Sequence, residues 1–350
     1  MRDNRFEMFI LYNREMLEQM FGQNSIARIQ DSFVSSLGSC LFIEYTESRR
    51  RHLKDYILST ASSSTMLIIA GDHSMVPFES IESPVNDGDG MILTDNFFAA
   101  ENLLEIPDLP VSRIPFARNE GIDDYIRKLD SILSNEGLAC SEKFGMTAAV
   151  WQTSAYHVFD SIDGMGEMIV SPPFSLGHNE DIVFNNLRGC LYFNVHGAEH
   201  LPGWYGQKKS SDSESEEFPL CITPSSFTGD IKTSFIMTEA CFGGFAEGKE
   251  SGQSIVLTAL SSGISFFLGS TATAYGTYFP PISEADLLCS IFTDELRSGN
   301  PAGIALRDAK QKFARENIEK NGFLDNDDKK TLLTFTLYGN PSVGVIDERK

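Results

Sequence analysis

Two short stretches of this 350-residue chain carry residue types that can do covalent chemistry together. One is Val195-His196-Gly197; the other is Glu239-Ala240-Cys241-Phe242-Gly243-Gly244, with the histidine 45 residues ahead of the cysteine. An ionised thiol is a nucleophile, and a neighbouring imidazole both lowers the thiol's pKa and later protonates a leaving amine. Acyl transfer also needs donors aimed at an oxyanion. The backbone N–H groups of Gly197 and Cys241 are expected to supply them if the two segments are neighbours. Glycine at 197 lets a substrate come close to the backbone.

The segments that must position this pair are the apolar runs in front of it. Residues 189–195 and 233–238 read as strands buried on both faces. His196 and Cys241 then follow the carboxyl ends of strands, where open α/β sheets bind ligands. Strand-length apolar runs alternate with helical patterns along the whole chain, which predicts an α/β fold: a largely parallel sheet sandwiched by helices. Further strands are expected at 40–45, 65–70, 109–115, 146–151 and 264–269. Helices are expected at 49–59, 122–133 and 252–260, and a long amphipathic stretch at 285–315. A break near 135–142 divides an N-terminal α/β subdomain, 1–141, from a catalytic α/β subdomain, 142–350. Residues 208–217, acidic and free of apolar side chains, are expected to form a mobile surface loop.

Composition narrows the partners. With 28 basic against 49 acidic residues the formal charge is −21, which repels phosphate backbones, and Arg49-Arg50-Arg51 is too short to act as a footprint for nucleic acid. No apolar run reaches the roughly 18 to 20 residues of a membrane span. The opening ten residues have an acid inside any would-be signal core, so export is not expected. Six scattered cysteines lack metal-site pairing and read as reduced thiols in a cytosol-like compartment. His196 and His200 have a zinc-compatible spacing, but Gly197 and Pro202 argue against the helix such a site needs. No GxSxG elbow or GxxxxGK[ST] loop is present. No cofactor is expected.

The motifs together resemble the gingipain-like cysteine peptidases, within the larger group that includes caspases, legumain and clostripain. The resemblance covers most of the chain. It rests on Gly71-Asp72 with a following Pro77, on Thr94-Asp95-Asn96-Phe97-Phe98-Ala99 leading to the 107–115 block, on the His196-Gly197 and Ala240-Cys241 pair, and on the closing Leu337-Tyr338-Gly339-Asn340-Pro341-Ser342. It implies a caspase-like unit of two side-by-side subdomains and peptide-bond hydrolysis, with His196 as general acid/base and Cys241 as nucleophile. Two departures stand out. The family's acid near the imidazole has Gln152 as its nearest counterpart, so Gln152 is the candidate third group. The secreted relatives carry export signals and trailing immunoglobulin-like domains that this sequence lacks, so a cytoplasmic role is expected.

In related enzymes the residue two before the nucleophile lines the first specificity pocket; here it is Glu239, on the same side of its strand as Cys241. A carboxylate there favours cleavage after Arg or Lys. The alternative is that Glu239 pairs with an arginine of the protein, which makes the pocket suit a neutral residue such as Asn. Ser270, Thr271 and Tyr275 are similar to the segment that pairs with substrate backbone, and Asp160 and Asp163 are further pocket acids to test. Lys208-Lys209 before the acidic run is a candidate self-cleavage site. The expected partner is a protein or peptide substrate. Gating by an activating partner, by calcium at the acidic loops, or by nothing stays open, as does a second reading: a catalytically silent relative used as a binding or regulatory module.

Overall fold

A computed structural model describes residues 6–102, 106–134, 137–177, 182–229, 231 and 234–346. Thr233, the expected first residue of a strand, lies outside them, as do residues 1–5 of the opening stretch read above for export. Ten strands form one sheet: β1 (Glu7–Tyr12), β2 (Cys40–Glu44), β3 (Thr65–Ala70), β4 (Val111–Ile114), β5 (Glu142–Ala148), β6 (Met165–Ser171), β7 (Gly189–Asn194), β8 (Ser234–Thr238), β9 (Phe266–Ser270) and β10 (Phe335–Gly339). Their order is β2-β1-β3-β4-β10-β9-β8-β7-β5-β6. Every neighbouring pair is parallel except β9 with β10, which run antiparallel from Phe266↔Gly339 to Ser270↔Phe335. This joint divides the sheet into two halves of opposite direction, so their carboxyl ends open on opposite edges.

Along the central strands both faces are buried, and successive side chains enter different layers. In β7, Leu191 and Phe193 join the core beneath α1 (Arg14–Phe21), α2 (Asn24–Leu37), α4 (Ile122–Leu133) and α6 (Ile255–Ser261), while Cys190 and Tyr192 join the core beneath α5 (Gln152–Ser161), α7 (Glu284–Arg297) and α8 (Ala302–Asn321). This is the period-two alternation of a pleated strand. The remaining described helices are α3 (Arg50–Thr60) and α9 (Asn326–Thr334).

Two expectations need correction. The strand expected at 146–151 is β5, which ends at Ala148; Ala149–Trp151 form a 3₁₀ turn and α5 starts at Gln152. The amphipathic stretch at 285–315 is two helices. α7 stops at Arg297, Gly299 adopts φ of 90°, and Pro301 stands immediately before α8, where its fixed φ and missing N–H are tolerated. Among the described residues no helix is long and apolar enough to cross a membrane, and Cys40, Cys190, Cys221, Cys241 and Cys289 are free thiols.

Candidate active site

The pairing of β7 with β8 brings the two reactive segments to one edge. Phe193 is in register with Thr238, and the Glu239 N–H donates to the Phe193 carbonyl at 2.8 Å, so residues 194–197 and 239–241 leave the sheet side by side. Beyond β7, the His196 N–H donates to the Tyr205 carbonyl at 2.8 Å and the Tyr205 N–H to the His196 carbonyl at 2.9 Å. Trp151 lies against the imidazole with ring centroids 4.4 Å apart. His196 Nε2 is 2.8 Å from Gln207 Oε1. An amide oxygen there accepts from Nε2–H, which leaves Nδ1 of the neutral ring as the basic nitrogen.

Cys241 sits at the apex of a turn closed by the Gly243 N–H on the Ala240 carbonyl at 2.9 Å. The turn holds Phe242 at φ of 55°, the left-handed region that costs a residue with Cβ about 1 kcal/mol or more. Its backbone is tied to the next strand connection, with Phe242 N–H on Ala272 O and Gly244 N–H on Ser270 O. The thiol donates to the Ala274 carbonyl at 3.4 Å. A Cβ on Gly197 would lie 2.2 Å from the Cys241 carbonyl oxygen, so only glycine allows this approach. Among the described residues neither the Gly197 nor the Cys241 N–H is taken by a protein acceptor. Burial pushes the Cys241 thiol up. Burial also pulls the His196 imidazole down, against a smaller opposing effect of Gln207. Both groups therefore rest neutral near pH 7.

Cys241 opens into a cleft whose lining includes Trp151, Asn194, Glu239, Tyr275 and Thr277. Glu239 is 7% exposed; its carboxyl accepts from Tyr192 Oη at 2.7 Å and from Asn194 Nδ2 at 3.1 Å. Among the described residues no arginine pairs with it. Arg113, from the 107–115 block, is fully buried and committed to Asp95 and to the carbonyls of Gly71 and Val76. Burial, and then Asp286 close by, hold the Glu239 carboxyl well above the usual carboxylate range.

The other sequence candidates separate. Tyr275 lines the cleft. Ser270 and Thr271 are buried beneath it, with Ser270 Oγ on the Ala272 carbonyl and Thr271 Oγ1 on the Leu93 carbonyl. Gln152 does not meet the imidazole: its Oε1 accepts from Lys209 Nζ at 3.0 Å, because β5 ends early and Gln152 opens α5. Gln207 is the residue the sequence reading missed. Asp160 is exposed near the far end of α5, beside Lys143, and Asp163 pairs with Arg297 at 3.6 Å. That helix runs back toward the amino ends of β5 and β6, away from the cleft.

The cleft wall after β9 is clamped from outside. The antiparallel pair Glu79–Glu82 and Met91–Thr94 carries the acidic loop between them. Asp89 accepts from the Thr273 N–H at 2.9 Å and from Thr273 Oγ1 at 2.8 Å, and Asp87 accepts from the Tyr275 hydroxyl. Both carboxylates also bind the ammonium of Lys330, a buried residue of α9. The 208–217 loop is tied at its base by the Lys208 N–H on Glu217 O, at 3.1 Å.

Residues 42–346 match peptidase family C25. The chain belongs to that family. Among solved structures, the C25 chain is similar to the Arg-specific cysteine proteinase gingipain R (RgpB), with a TM-score of 0.64 and 12% identity over 99% of this chain and 79% of that one. A complex of Porphyromonas gingivalis RgpB pro- and mature domains gives 0.63 at 12% identity, covering 96% and 79%. A further protease structure gives 0.62 at 11%, covering 97% and 78%. No curated protein sequence matches the chain. The gingipain family and the caspase-like α/β class expected from the motifs both hold, and family C25 makes the chain a cysteine peptidase by descent.

Proposed function

We propose that this C25 member is an endopeptidase that cleaves protein substrates after Arg or Lys, with Cys241 as nucleophile and His196 as general acid/base. The observation that carries the reading is Glu239: a buried carboxyl in the cleft that Cys241 opens into, hydrogen-bonded by Tyr192 and Asn194 and, among the described residues, without a cationic partner. A P1 guanidinium or ammonium completes it.

In this reading His196 Nδ1 takes the thiol proton and Sγ attacks the scissile carbonyl carbon. The resulting oxyanion is held by the N–H groups of Gly197 and Cys241. The imidazolium then gives its proton to the leaving amine as the C–N bond breaks, leaving a thioester on Cys241. Water, deprotonated by His196, attacks the thioester; the acid product leaves and the proton returns to sulfur. Gln207 holds Nε2–H throughout.

Fluorogenic peptides differing only at P1 (Arg, Lys, Asn, Asp) test this with wild type, Cys241→Ala and Glu239→Gln. Cleavage after Arg and Lys that vanishes in Cys241→Ala and weakens in Glu239→Gln is the expected result. A folded wild type that cleaves none of them, and whose Cys241 ignores a thiol-reactive peptidyl probe, supports the silent binding module instead.

A further inference from the structure

Asp286, in the first turn of α7, is fully buried behind the cleft. Its Oδ2 accepts from the Thr277 N–H at 2.7 Å, and its Oδ1 accepts from Asn194 Nδ2 at 3.3 Å. The same Nδ2 reaches Glu239 Oε2 at 3.1 Å, so one amide nitrogen bridges a carboxyl just past β8 and a carboxyl of α7. Gly276 passes so close that a Cβ there would lie 2.7 Å from Asp286 Oδ2, which brings the rim of the cleft down onto the acid. No basic side chain pairs with either carboxyl among the described residues.

From this geometry we infer that Asp286 is a second specificity residue of the P1 pocket, forming with Glu239 a two-carboxyl floor that keeps one proton while empty and releases it to solvent when a cationic side chain enters. The inference rests on the reading of the cleft as a P1 pocket and adds a residue and a proton to it. Two carboxylates in contact without a counter-ion cannot both be ionised in a buried site. Tyr192 Oη already donates to Glu239, and Thr277 N–H already donates to Asp286, so the proton lies between the two acids. Burial raises both carboxyls above their ordinary ranges. The other titratable groups facing the pair are Tyr192 from β7, Cys289 one turn on in α7 and Cys241 at the cleft mouth; α5 contributes only Ser154, whose hydroxyl holds the Thr277 carbonyl at 2.6 Å. None of them supplies a positive charge. When a guanidinium or ammonium arrives, the proton leaves, and a floor of two negative charges faces one positive charge.

The test uses benzamidine, an amidinium without a scissile bond, titrated calorimetrically at about pH 6 in two buffers of different ionisation enthalpy, with wild type, Asp286→Asn and Glu239→Gln. Wild type is expected to release about one proton per ligand bound, and each variant measurably less. In parallel, peptides with P1 arginine and its neutral isostere citrulline are compared. Asp286→Asn is expected to lower the arginine-over-citrulline ratio of kcat/KM by about tenfold or more, the loss expected for one charged hydrogen-bond partner. Benzamidine binding to wild type without proton release, or no binding at all, overturns the inference even if the variants do not fold. So does an Asp286→Asn enzyme with wild-type proton release and selectivity. Benzamidine binding with proton release but no peptide cleavage sinks the peptidase reading and leaves the two-carboxyl floor standing. Arginine cleavage indifferent to Asp286 does the reverse.

Discussion

His196 Nε2 and Gln207 Oε1 stand 2.8 Å apart although eleven positions separate them in the chain. The Gln207 backbone is itself pinned, its N–H on the Ser171 carbonyl at 3.1 Å and its carbonyl accepting from Val150 N–H at 3.3 Å. A neutral amide thus does the orienting that an acid does in many thiol enzymes, and it does so without stabilising an imidazolium by charge.

Gln207→Ala is expected to lower kcat by about tenfold to a hundredfold while leaving KM near its wild-type value, because the ring loses orientation and not substrate contacts. Gln207→Glu is the informative partner. A carboxylate beside the ring raises the His196 pKa, so the acid limb of kcat against pH moves upward. An unmoved limb in Gln207→Glu speaks against His196 as the titrating base.

Gly197→Ala is expected to be folded but nearly inactive. The new methyl group meets the Cys241 carbonyl and pushes the two N–H groups apart, and losing one oxyanion donor costs about a hundredfold to a thousandfold in kcat. Turnover within about threefold of wild type would remove Gly197 from the proposed oxyanion site.

The empty pocket should make the protein less stable as pH rises. Glu239 in the folded chain holds its proton well above the ordinary carboxylate range, so between the unfolded and folded values the native state binds more protons than the unfolded state, and stability falls as pH increases through that window. Asp286 is raised as well and acts in the same direction. Glu239→Gln keeps the shape without the charge and is expected to gain stability relative to wild type as pH rises through that window, with the difference vanishing at low pH where the carboxyl is protonated in both the folded and the unfolded chain. Thermal unfolding across pH measures this, and parallel wild-type and variant curves would refute it.

Asp89→Ala removes the acceptor for both Thr273 donors and one of the two carboxylates on Lys330. A loss of about 1 to 3 kcal/mol in stability is expected, together with a raised KM, since residues 274–277, which follow Thr273 directly, line the cleft. Steady-state kinetics and denaturant unfolding read the two effects separately. An unchanged KM with lowered stability means that the clamp serves the fold alone.

The legible parts of the sequence were those where chemistry and local pattern coincide. Residues 189–195 and 233–238 are uninterrupted apolar runs that deliver His196 and Cys241 to one edge, and Glu239 follows from strand alternation. Gln152 was misread because the apolar run 146–151 passes from strand to 3₁₀ turn to helix without a change in composition; hydropathy carries no mark where β5 stops. Gln207 and Asp286 depend on long-range placement. Gln207 arrives by way of the Trp204–Tyr205 strand. Asp286 reads locally as an ordinary acid at a helix start, where it complements the helix dipole. β1 lies at the opening of the chain, and its run Met8-Phe9-Ile10-Leu11 is only four residues, too short for periodicity to tell a buried strand from a helix segment.

Lys330 gives the cleft wall a counter-ion that cannot diffuse away. An acidic loop facing a specificity pocket can be neutralised by a dissolved cation, and its order then follows the composition of the medium. Here the neutralising charge arrives on a side chain of α9, in fixed amount, and the entropy of placing it is settled once, during folding. Because Lys330 binds both Asp87 and Asp89, the order of the wall is tied to the seating of α9.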